Sequence, residues 1–463
     1  MNNLNPRFKK SLIGLALVCS FAAAPTMAGT QVAPEKALAL LDVQAEQFTK
    51  QIVKISDNVY TAVGYHGANT SMIVGDDGVI IIDTLMGPAS ATNAWNELQK
   101  FSGGKPVKAI IYTHSHGDHT GGAAVFAGDD NPEVIARVGF GGEHGANKLI
   151  NPILIPRGVR QFGRKLPADQ ETHRGLAPAK TLDHDRGKGH IKPTLSISED
   201  VYRTTIAGVE LELHAAPGET DDAQYIWLPK EQVLFAGDNF YRTFPNLYAI
   251  RGTPYRDVTN WSNSVKKMAD HNPKAVIGGH TIPVLGQKAA TAALTNYSAA
   301  IRSVYDQTVA GINQGKSPNL IAHEVELPAE LKKLPYLTEF YGTVPHAVRA
   351  IYAGLLGWYD GNPTTLNPLA PADEAQKLAR LAGGTKALTK QMDDALKAGE
   401  FQWALELADN LMWLKDAPVE KVRTGKVKAL RGLAAREYNA PNRNYYLSYA
   451  NELEQGKLQG PWF

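Results

Sequence analysis

A seven-residue segment, 113–119, holds three of the chain's thirteen histidines and one carboxylate, in the order Thr-His-Ser-His-Gly-Asp-His. Imidazole nitrogens and carboxylate oxygens are the usual ligands of zinc and its neighbours in hydrolytic sites. Where a strand ends in a loop, His114 and His116 can point one way while Asp118 and His119 point another. The segment therefore predicts a site for two metal ions a few ångströms apart. The alternative is a polar surface loop that is merely rich in histidine.

Three further segments offer metal ligands at what we predict to be strand ends. Glu219 lies in Pro-Gly-Glu-Thr, Asp238 in Gly-Asp-Asn and His280 in Gly-Gly-His, each shortly after an apolar run. Glu219 can complete the first half of the site, Asp238 can bridge both ions, and His280 can join the second half. Each alone is a weak signal, because such residues often cap a strand or face solvent. Asp83 ends the strand before the motif and is a candidate acceptor that fixes the tautomer of a ligand histidine.

The elements that must position these residues are short strands alternating with helices and loops, from about residue 52 to 282. The pattern predicts a helix over 89–101 and strands over 58–63, 70–74, 79–83, 107–112, 133–137, 209–214, 224–228, 233–236 and 275–277. A polar stretch rich in glycine and proline, 141–193, is predicted as a long irregular loop that could cover the site. After about residue 296 the pattern becomes helical, with helices predicted over 339–357 (interrupted near Pro345), 381–397, 401–414, 419–437 and 444–454.

Composition indicates an ordinary globular protein: 463 residues, 43% hydrophobic and 20% charged, enough for two or three domains. Residues 1–28 are predicted to be a secretory signal peptide, because basic residues precede an apolar stretch that ends in small residues. The alternative is an uncleaved N-terminal membrane helix. The single cysteine, Cys19, lies in this segment, so the mature chain would have neither disulfides nor thiolate metal ligands.

The formal net charge of the chain does not indicate a polyanionic partner. Removal of residues 1–28 takes away three basic residues and no acidic ones, so the formal net charge of +2 becomes −1. A near-neutral chain offers no electrostatic attraction for nucleic acid or an anionic membrane. We expect a periplasmic or secreted protein with no stable membrane anchor.

The histidine motif, Pro-Gly-Glu-Thr, Gly-Asp-Asn and the late Gly-His together resemble the metallo-β-lactamase superfamily, which implies an αββα sandwich with a dinuclear zinc site at its edge. Two further segments, Asn246–Gly252 and Leu356–Pro363, look like the alkyl sulfatase group, in which an all-α helical dimerisation domain follows the sandwich. The resemblance covers about residues 53–453. It predicts a catalytic domain over 29–300, a helical domain over 301–463 and a homodimer.

The resemblance also implies roles for individual residues. Two Zn²⁺ ions per subunit would be held by His114, His116 and Glu219, by Asp118, His119 and His280, and by Asp238 between them. Asn246 and Arg251 correspond to positions that hold the sulfate group in the family. An arginine fork and an amide donor match the oxygens of a tetrahedral anion. His190 lies in a segment that resembles a family loop near the substrate and is a further candidate contact.

Two departures from the family concern the substrate and the metal site. The larger alkyl sulfatases continue into a sterol-carrier-like domain that gathers the alkyl tail, and this sequence carries no such segment before Phe463. Typical members also read Gly-Thr-Glu where this chain has Gly-Glu-Thr, and carry Glu at the position of Asp238. We expect the metal site to survive these changes, whereas a preference for long-chain detergents is in doubt.

The predicted function is zinc-dependent hydrolysis of sulfate esters, alkyl sulfates in the first place, to an alcohol and inorganic sulfate. The two zinc ions would lower the pKa of a shared water and supply hydroxide, which Asp118 or Asp238 could orient as catalytic residues. A second hypothesis keeps the metals but takes a β-lactam, a lactone or another carboxylic ester. A third is a non-catalytic binding module, against which stands the presence of a ligand-capable side chain at all seven expected positions.

Overall fold

The computed structural model describes residues 29–142, 148–179 and 184–458. The predicted signal peptide, 1–28, lies outside the described residues. Two sheets form the centre of the first part of the chain. The strands of the first sheet are β1 Gln51–Lys54, β2 Val59–Val63, β3 Thr70–Val74, β4 Val79–Ile82, β5 Val107–Ile111, β6 Glu133–Arg137 and β7 Leu195–Ile197. The strands of the second are β8 Val201–Ile206, β9 Val209–Ala215, β10 Gln224–Leu228, β11 Val233–Gly237, β12 Ala275–Gly278 and β13 Val284–Leu285.

The first sheet keeps its strands in chain order, β1 to β7. Strands β1 to β4 are antiparallel, and residues 75–78 form the tight connection between β3 and β4. Strands β4 to β7 are parallel. Because parallel strands are covered on both faces, they read as continuous apolar runs, and every residue of β4 is buried. The end of β5, where the histidine motif begins, therefore lies beside the ends of its parallel neighbours.

The second sheet has the order β13-β12-β11-β10-β9-β8 and is antiparallel except for the β11–β12 pair. Its inner face packs against the first sheet, since one buried cluster contains Ile80 and Ile111 from the first sheet and Leu213, Ile226 and Phe235 from the second. The two sheets thus share one apolar layer, as the alternating burial of a sandwich requires.

Helices cover both outer faces of the sandwich. Pro88–Leu98 buries alanines and Leu98 against the first sheet, and Val258–Asp270 buries Trp261 and Val265 against the second. The predicted αββα sandwich followed by a helical region is confirmed. Among the described residues, the remaining helices of four or more residues are Pro34–Ala45, Gly117–Thr120, Ala123–Ala127, Asn151–Gln161, Gln287–Asn313, Pro318–Glu324, Ala329–Lys332, Val344–Leu356, Pro363–Leu366, Pro371–Leu381, Thr385–Ala398, Phe401–Leu411, Val419–Arg436 and Ala440–Glu454.

Three local predictions differ from the structure. Pro345 does not interrupt a helix; it lies in the first turn of Val344–Leu356, where its missing N–H costs no hydrogen bond. The helix predicted from residue 381 begins at Thr385, because Gly383 and Gly384 have φ of 92° and 105° and separate two helices. The stretch predicted as an irregular loop contains the helix Asn151–Gln161.

The division predicted at residue 300 stays a prediction, and the helix Gln287–Asn313 runs across it. Among the described residues, the helices are each too short or too polar to cross a bilayer.

Candidate metal centre

The histidine motif starts where the buried strand β5 ends. Residues 112–116 form the loop that leaves the strand, and Gly117–Thr120 forms a single helical turn. His114 and His119 are buried, at 1% and 0% exposure. The two halves of the motif face different partners, because His114 and His116 belong to one ligand group and Asp118 and His119 to another.

The structure places four predicted ligands in a first group: His114, His116, Glu219 and Asp238, whose ligand atoms all lie within 4.8 Å of one another. Nε2 of His114 lies 3.0 Å from Nδ1 of His116. Glu219 follows β9 and is held by its own N–H, which donates to the side-chain oxygen of Asn239 at 3.0 Å. The first group therefore draws on three separate chain segments.

A second group contains Asp118, His119 and His280, again with ligand atoms within 4.8 Å of one another. Nε2 of His280 lies 3.7 Å from Oδ2 of Asp118, and Nε2 of His119 lies 4.0 Å from the same oxygen. His280 comes directly after β12 and the pair Gly278-Gly279.

Asp238 lies between the two groups. Its Oδ1 is 3.3 Å from Nε2 of His119, and its Oδ2 is 3.1 Å from Nε2 of His280 and 3.8 Å from Nε2 of His114. One carboxylate therefore faces histidines of both groups, which is the position that a bridging ligand needs.

Unsatisfied atoms indicate that the groups fit metal ions. Nε2 of His119, Oε2 of Glu219 and Oδ1 of Asp238 are buried and make no hydrogen bond among the described residues. Buried polar atoms without a partner are costly and uncommon in folded proteins. Coordination of a cation would satisfy all three atoms, and imidazole with carboxylate is a donor set for zinc-like divalent ions.

Asp83 lies beside the second group and contacts His119. Its Oδ2 lies 2.7 Å from Nδ1 of His119, and it accepts hydrogen bonds from the backbone N–H and the hydroxyl of Thr113, each at 2.8 Å. A carboxylate on Nδ1 keeps that nitrogen protonated and leaves Nε2 as the ligand atom. The backbone oxygen of Gly67 does the same for His280, at 2.7 Å from its Nδ1.

Thr113 sets the tautomer of His114 through one hydroxyl hydrogen. The hydroxyl donates to Asp83 and also lies 3.0 Å from Nδ1 of His114. Because its hydrogen is already committed, it can only accept from Nδ1–H of His114. Nε2 of His114 is then left with a lone pair that points toward the first group.

The electrostatics of the two groups differ. Burial lowers the pKa of His116 well below its ordinary value, and the neighbouring His114 lowers it further. Burial also lowers the pKa of His114. Burial acts in the same direction on His119, but the carboxylates of Asp238, Asp83 and Asp118 together outweigh it and hold the pKa of His119 well above its ordinary value. The second group thus lies in a surplus of negative charge that a cation would balance.

Arg256 is a site residue that the sequence did not indicate. Its Nη1 lies 2.7 Å from Oε1 of Glu219 and also donates to the backbone oxygen of Asn246 at 2.5 Å. Burial raises the pKa of Glu219 to about 8, and the Arg256 guanidinium opposes that rise. A lone arginine in a loop before a helix carries no sequence signal that separates it from a surface residue.

A cavity of about 520 Å³ opens over both groups. Arg251 lines it, together with His116, Asp118 and Tyr341. The other two predicted substrate contacts are not among its lining residues in the part of the chain that the structure describes.

Asn246 and His190 lie elsewhere. Asn246 is buried, and its N–H donates to the hydroxyl of Tyr241 at 2.8 Å. His190 is exposed, with its ring stacked near Tyr112 and Phe140 at centroid distances of 5.9 and 6.2 Å. The structure thus brings only Arg251 of the three to the cavity wall.

Comparison with known proteins agrees with this fold and site. Residues 63–280 match the metallo-β-lactamase superfamily, and residues 317–456 match the alkyl sulfatase dimerisation family. Over 404 residues the chain is 34% identical to a linear primary-alkylsulfatase of a Pseudomonas strain, covering 84% of this chain and 74% of that enzyme. It is 32% identical to an alkyl/aryl-sulfatase of Saccharomyces cerevisiae over 88% of this chain, and spans 64% of that enzyme's length.

A solved structure of an alkylsulfatase is also similar to this chain. The stereoselective inverting sec-alkylsulfatase of a Pseudomonas species superposes with a TM-score of 0.81 at 27% identity, covering 94% of this chain and 73% of that one. Fold and site together define a hydrolase of the metallo-β-lactamase superfamily. Within that superfamily, the chain belongs to the alkyl sulfatase family.

Proposed function

We propose that this protein hydrolyses sulfate esters, alkyl sulfates among them, to an alcohol and inorganic sulfate with the help of two Zn²⁺ ions. The observation that carries the proposal is the convergence of seven ligand-capable side chains at a cavity that Arg251 also lines. The names of relatives that match most of this chain support the same reaction.

Each of the two ligand groups would hold one ion. His114, His116, Glu219 and Asp238 would hold one, and Asp118, His119 and His280 the other, with Asp238 shared between them. When bound, such ions supply a hydroxide nucleophile near neutral pH and positive charge for the sulfate oxygens. The protein's part is to fix the ligands and to position the substrate.

The chain's own residues perform the positioning. The Arg251 guanidinium is planar and always charged, and its paired N–H groups match two oxygens of a sulfate group. Its backbone is held by an N–H donated to Oε1 of Gln161 at 2.8 Å. Asp118 and Asp238 carry carboxylate oxygens on the cavity side and would accept the hydrogen bond that orients the attacking water.

The test is hydrolysis of linear alkyl sulfates of graded length by the purified protein, with released sulfate measured. We expect turnover that a chelator abolishes and that added Zn²⁺ restores. Turnover that persists after metal removal would contradict the proposal.

A variant separates sulfate esters from carboxylic esters and lactams. Arg251→Ala removes the cation that faces the sulfate group but none of the metal ligands. We expect sulfate ester turnover to fall by about 100-fold or more, as for a lost charge-stabilising group, while turnover of uncharged esters is retained. Equal losses on both substrates would show that Arg251 acts on the metal centre instead.

We also propose that the protein forms a homodimer through its helical region. The match to the dimerisation family supports this, and so do the exposed apolar side chains within residues 355–369, namely Leu356, Leu366, Leu369 and Trp358, the last 74% exposed. Contiguous exposed apolar surface commonly marks an interface. Sedimentation should give twice the chain mass, and Trp358→Asp should shift it toward the monomer; a monomeric wild type would refute the dimer.

Export to the periplasm is proposed from residues 1–28. Expression of the full chain should yield a periplasmic protein whose N-terminus lies close to residue 29. Retention of the first 28 residues on the purified protein would contradict a cleaved signal peptide.

A further inference from the structure

The helix Asn151–Gln161 forms one wall of the cavity that opens over the metal centre. The positions of this helix and its C-cap that line the cavity are Asn151, Leu154, Ile155, Gly158 and Phe162. Positions three, four and seven residues apart fall on one face of a helix. The cavity therefore runs along the length of the helix, which presents a single face to it.

Arg251 lies beside the C-terminal half of this face. A Cβ at Gly158 would meet Cδ of Arg251 at 3.9 Å, and the guanidinium carbon of Arg251 lies 5.9 Å from the ring centroid of Phe162. The next residue of the chain, Gly252, lies nearer the start of the helix, because a Cβ there would meet Cδ2 of Leu154 at 3.0 Å. A sulfate group bound by Arg251 would therefore lie near positions 158–162, and the rest of the face extends away from it.

The same face becomes apolar and exposed toward the start of the helix. Gly158 is buried, whereas Ile155 lines the cavity and is nevertheless 63% exposed. Ile150, which directly precedes the helix, is 50% exposed and lies one turn from Leu154. The cavity thus opens to solvent at this end. Ile150, Leu154 and Ile155 form an apolar surface at the opening, which we call the mouth strip.

Uncharged residues also form the part of the cavity wall next to the mouth strip. Residues 252–254, with the sequence Gly-Thr-Pro, follow Arg251 and line the cavity. Arg157 lies on the same helix but does not line the cavity in the described part of the chain, and its Nη2 donates to the backbone oxygen of Ile250 at 2.6 Å. A hydrocarbon tail beside the mouth strip would therefore cover mainly apolar surface, which is favourable.

We propose that the mouth strip binds the hydrocarbon tail of the substrate, and that the preferred substrates are unbranched alkyl sulfates with tails of about eight to ten carbons. This inference rests on the proposed sulfate ester hydrolysis and names its substrate class. At a rise of about 1.5 Å per residue, Ile155 and Ile150 lie about 5 and 12 Å from Gly158 along the helix. An extended chain advances about 1.2 Å per bond, as the polypeptide backbone does, so tails of about four and ten carbons reach the two isoleucines.

The test measures kcat/KM of the Zn²⁺-loaded enzyme for butyl, hexyl, octyl, decyl and dodecyl sulfate, each below the concentration at which it forms micelles. We expect a rise of about twofold per added methylene up to decyl sulfate, because an open groove removes roughly half of each methylene's surface from water. From decyl to dodecyl sulfate we expect no further rise, since the last carbons extend past Ile150. Equal values for all tails, or a rise that continues undiminished to dodecyl sulfate, would overturn the inference and leave sulfatase activity standing. If no alkyl sulfate is hydrolysed, both proposals fail.

Variants on the helix locate the bound tail. Ile155→Gln should lower the ratio of the kcat/KM values for octyl and butyl sulfate by about 3-fold or more, and Ile150→Gln should do the same to the ratio for decyl and hexyl sulfate. Both residues are exposed and Gln favours a helix at least as well as Ile, so the fold should be kept. Ile153→Gln is the matched control, because Ile153 is 38% exposed on another face of the helix and, among the described residues, is not part of the cavity wall.

The control should keep both ratios. Ratios unchanged in the Ile155 and Ile150 variants would contradict the role of the mouth strip. A loss of dimer mass in Ile150→Gln with unchanged ratios would show that a second copy of the chain covers the strip instead, which would also overturn the inference.

Discussion

Arg256 and Glu219 form a buried ion pair, with Nη1 of Arg256 at 2.7 Å from Oε1 of Glu219 and both side chains at most 5% exposed. The pair leaves the other oxygen of Glu219, Oε2, without a hydrogen bond among the described residues. Arg256 thus fixes the carboxylate with one oxygen and turns the second toward the first ligand group.

Replacement of Arg256 by Gln should weaken metal binding. Glu219 would lose its partner and its fixed orientation, and outer partners of this kind typically change metal affinity by about 10-fold to 100-fold. Competition with a chelator for bound Zn²⁺ measures the change, with Arg380→Gln as an exposed control. Wild-type affinity in Arg256→Gln would mean that Glu219 needs no such support.

Asp83→Asn should show how much the charge of Asp83 contributes to Zn²⁺ binding. The backbone of Asp83 has φ of 57°, a conformation that Asn adopts more readily than most residues, so the substitution removes charge with little strain. His119 would keep a neutral acceptor at best, and we expect Zn²⁺ affinity to fall by about 10-fold or more. Circular dichroism checks the fold; unchanged affinity with an intact fold would contradict the role of Asp83.

Gly279→Ala should damage the centre directly. A Cβ at Gly279 would lie 2.0 Å from Oδ1 of Asp238, closer than atoms can approach, and 3.0 Å from Cε1 of His119, which is a very tight contact. We expect loss of at least one metal ion per chain and a collapse of turnover. Gly142→Ala is the control, because a Cβ there meets no atom within 4 Å. A Gly279→Ala variant with full metal content would show that the centre can shift to accept a methyl group.

Two buried carboxyls predict how stability depends on pH. Burial raises the pKa of Glu339 and of Glu437 to about 7 from an ordinary value of 4.5. Between these values the folded chain binds more protons than the unfolded chain, so the free energy of unfolding falls as pH rises through that window. Glu437→Gln removes one such group and should reduce the fall between pH 5 and pH 8 by on the order of 2 kcal/mol.

Urea unfolding of the metal-free protein at several pH values measures this effect. Glu330→Gln, at an exposed position, serves as the control and should keep the wild-type pH dependence. If Glu437→Gln loses stability with pH as steeply as the wild type, Glu437 does not titrate in this window.

The strands that carry the site could be predicted from the sequence because their signal is local. A parallel strand such as β4 is buried on both faces and appears as an unbroken apolar run, and polar residues after such runs fall at one edge of the sheet. The parallel strand Glu133–Arg137 and the antiparallel strand Gln224–Leu228, of which every residue is buried, both have the predicted bounds.

The helix Asn151–Gln161 could not be predicted because distant contacts stabilise it. It contains Pro156, a residue that disfavours the interior of a helix. Arg160 pairs with Glu452, with Nη2 at 2.7 Å from Oε2, and lies over the ring of Tyr449. No local pattern reveals a partner almost three hundred residues away in the chain.

The residues that line the cavity around Arg251 could not be predicted from the sequence either. Arg164 and Arg174 come from a stretch that reads as polar loop, and only the fold brings them to the wall that Arg251 also lines. Asn246, which the family resemblance assigns to the sulfate, is buried beneath Arg256 and Tyr241. Motif spacing indicates metal ligands well, but a cavity wall is built from unrelated segments.

Metal stoichiometry is the most direct test of the account. Purified protein equilibrated with Zn²⁺ and then desalted should contain two ions per chain by mass spectrometry. His116→Ala and His280→Ala, which remove one ligand from each group, should each reduce the content to one. A content well below one ion in the wild type, or two ions retained in both variants, would contradict a dinuclear centre at these residues.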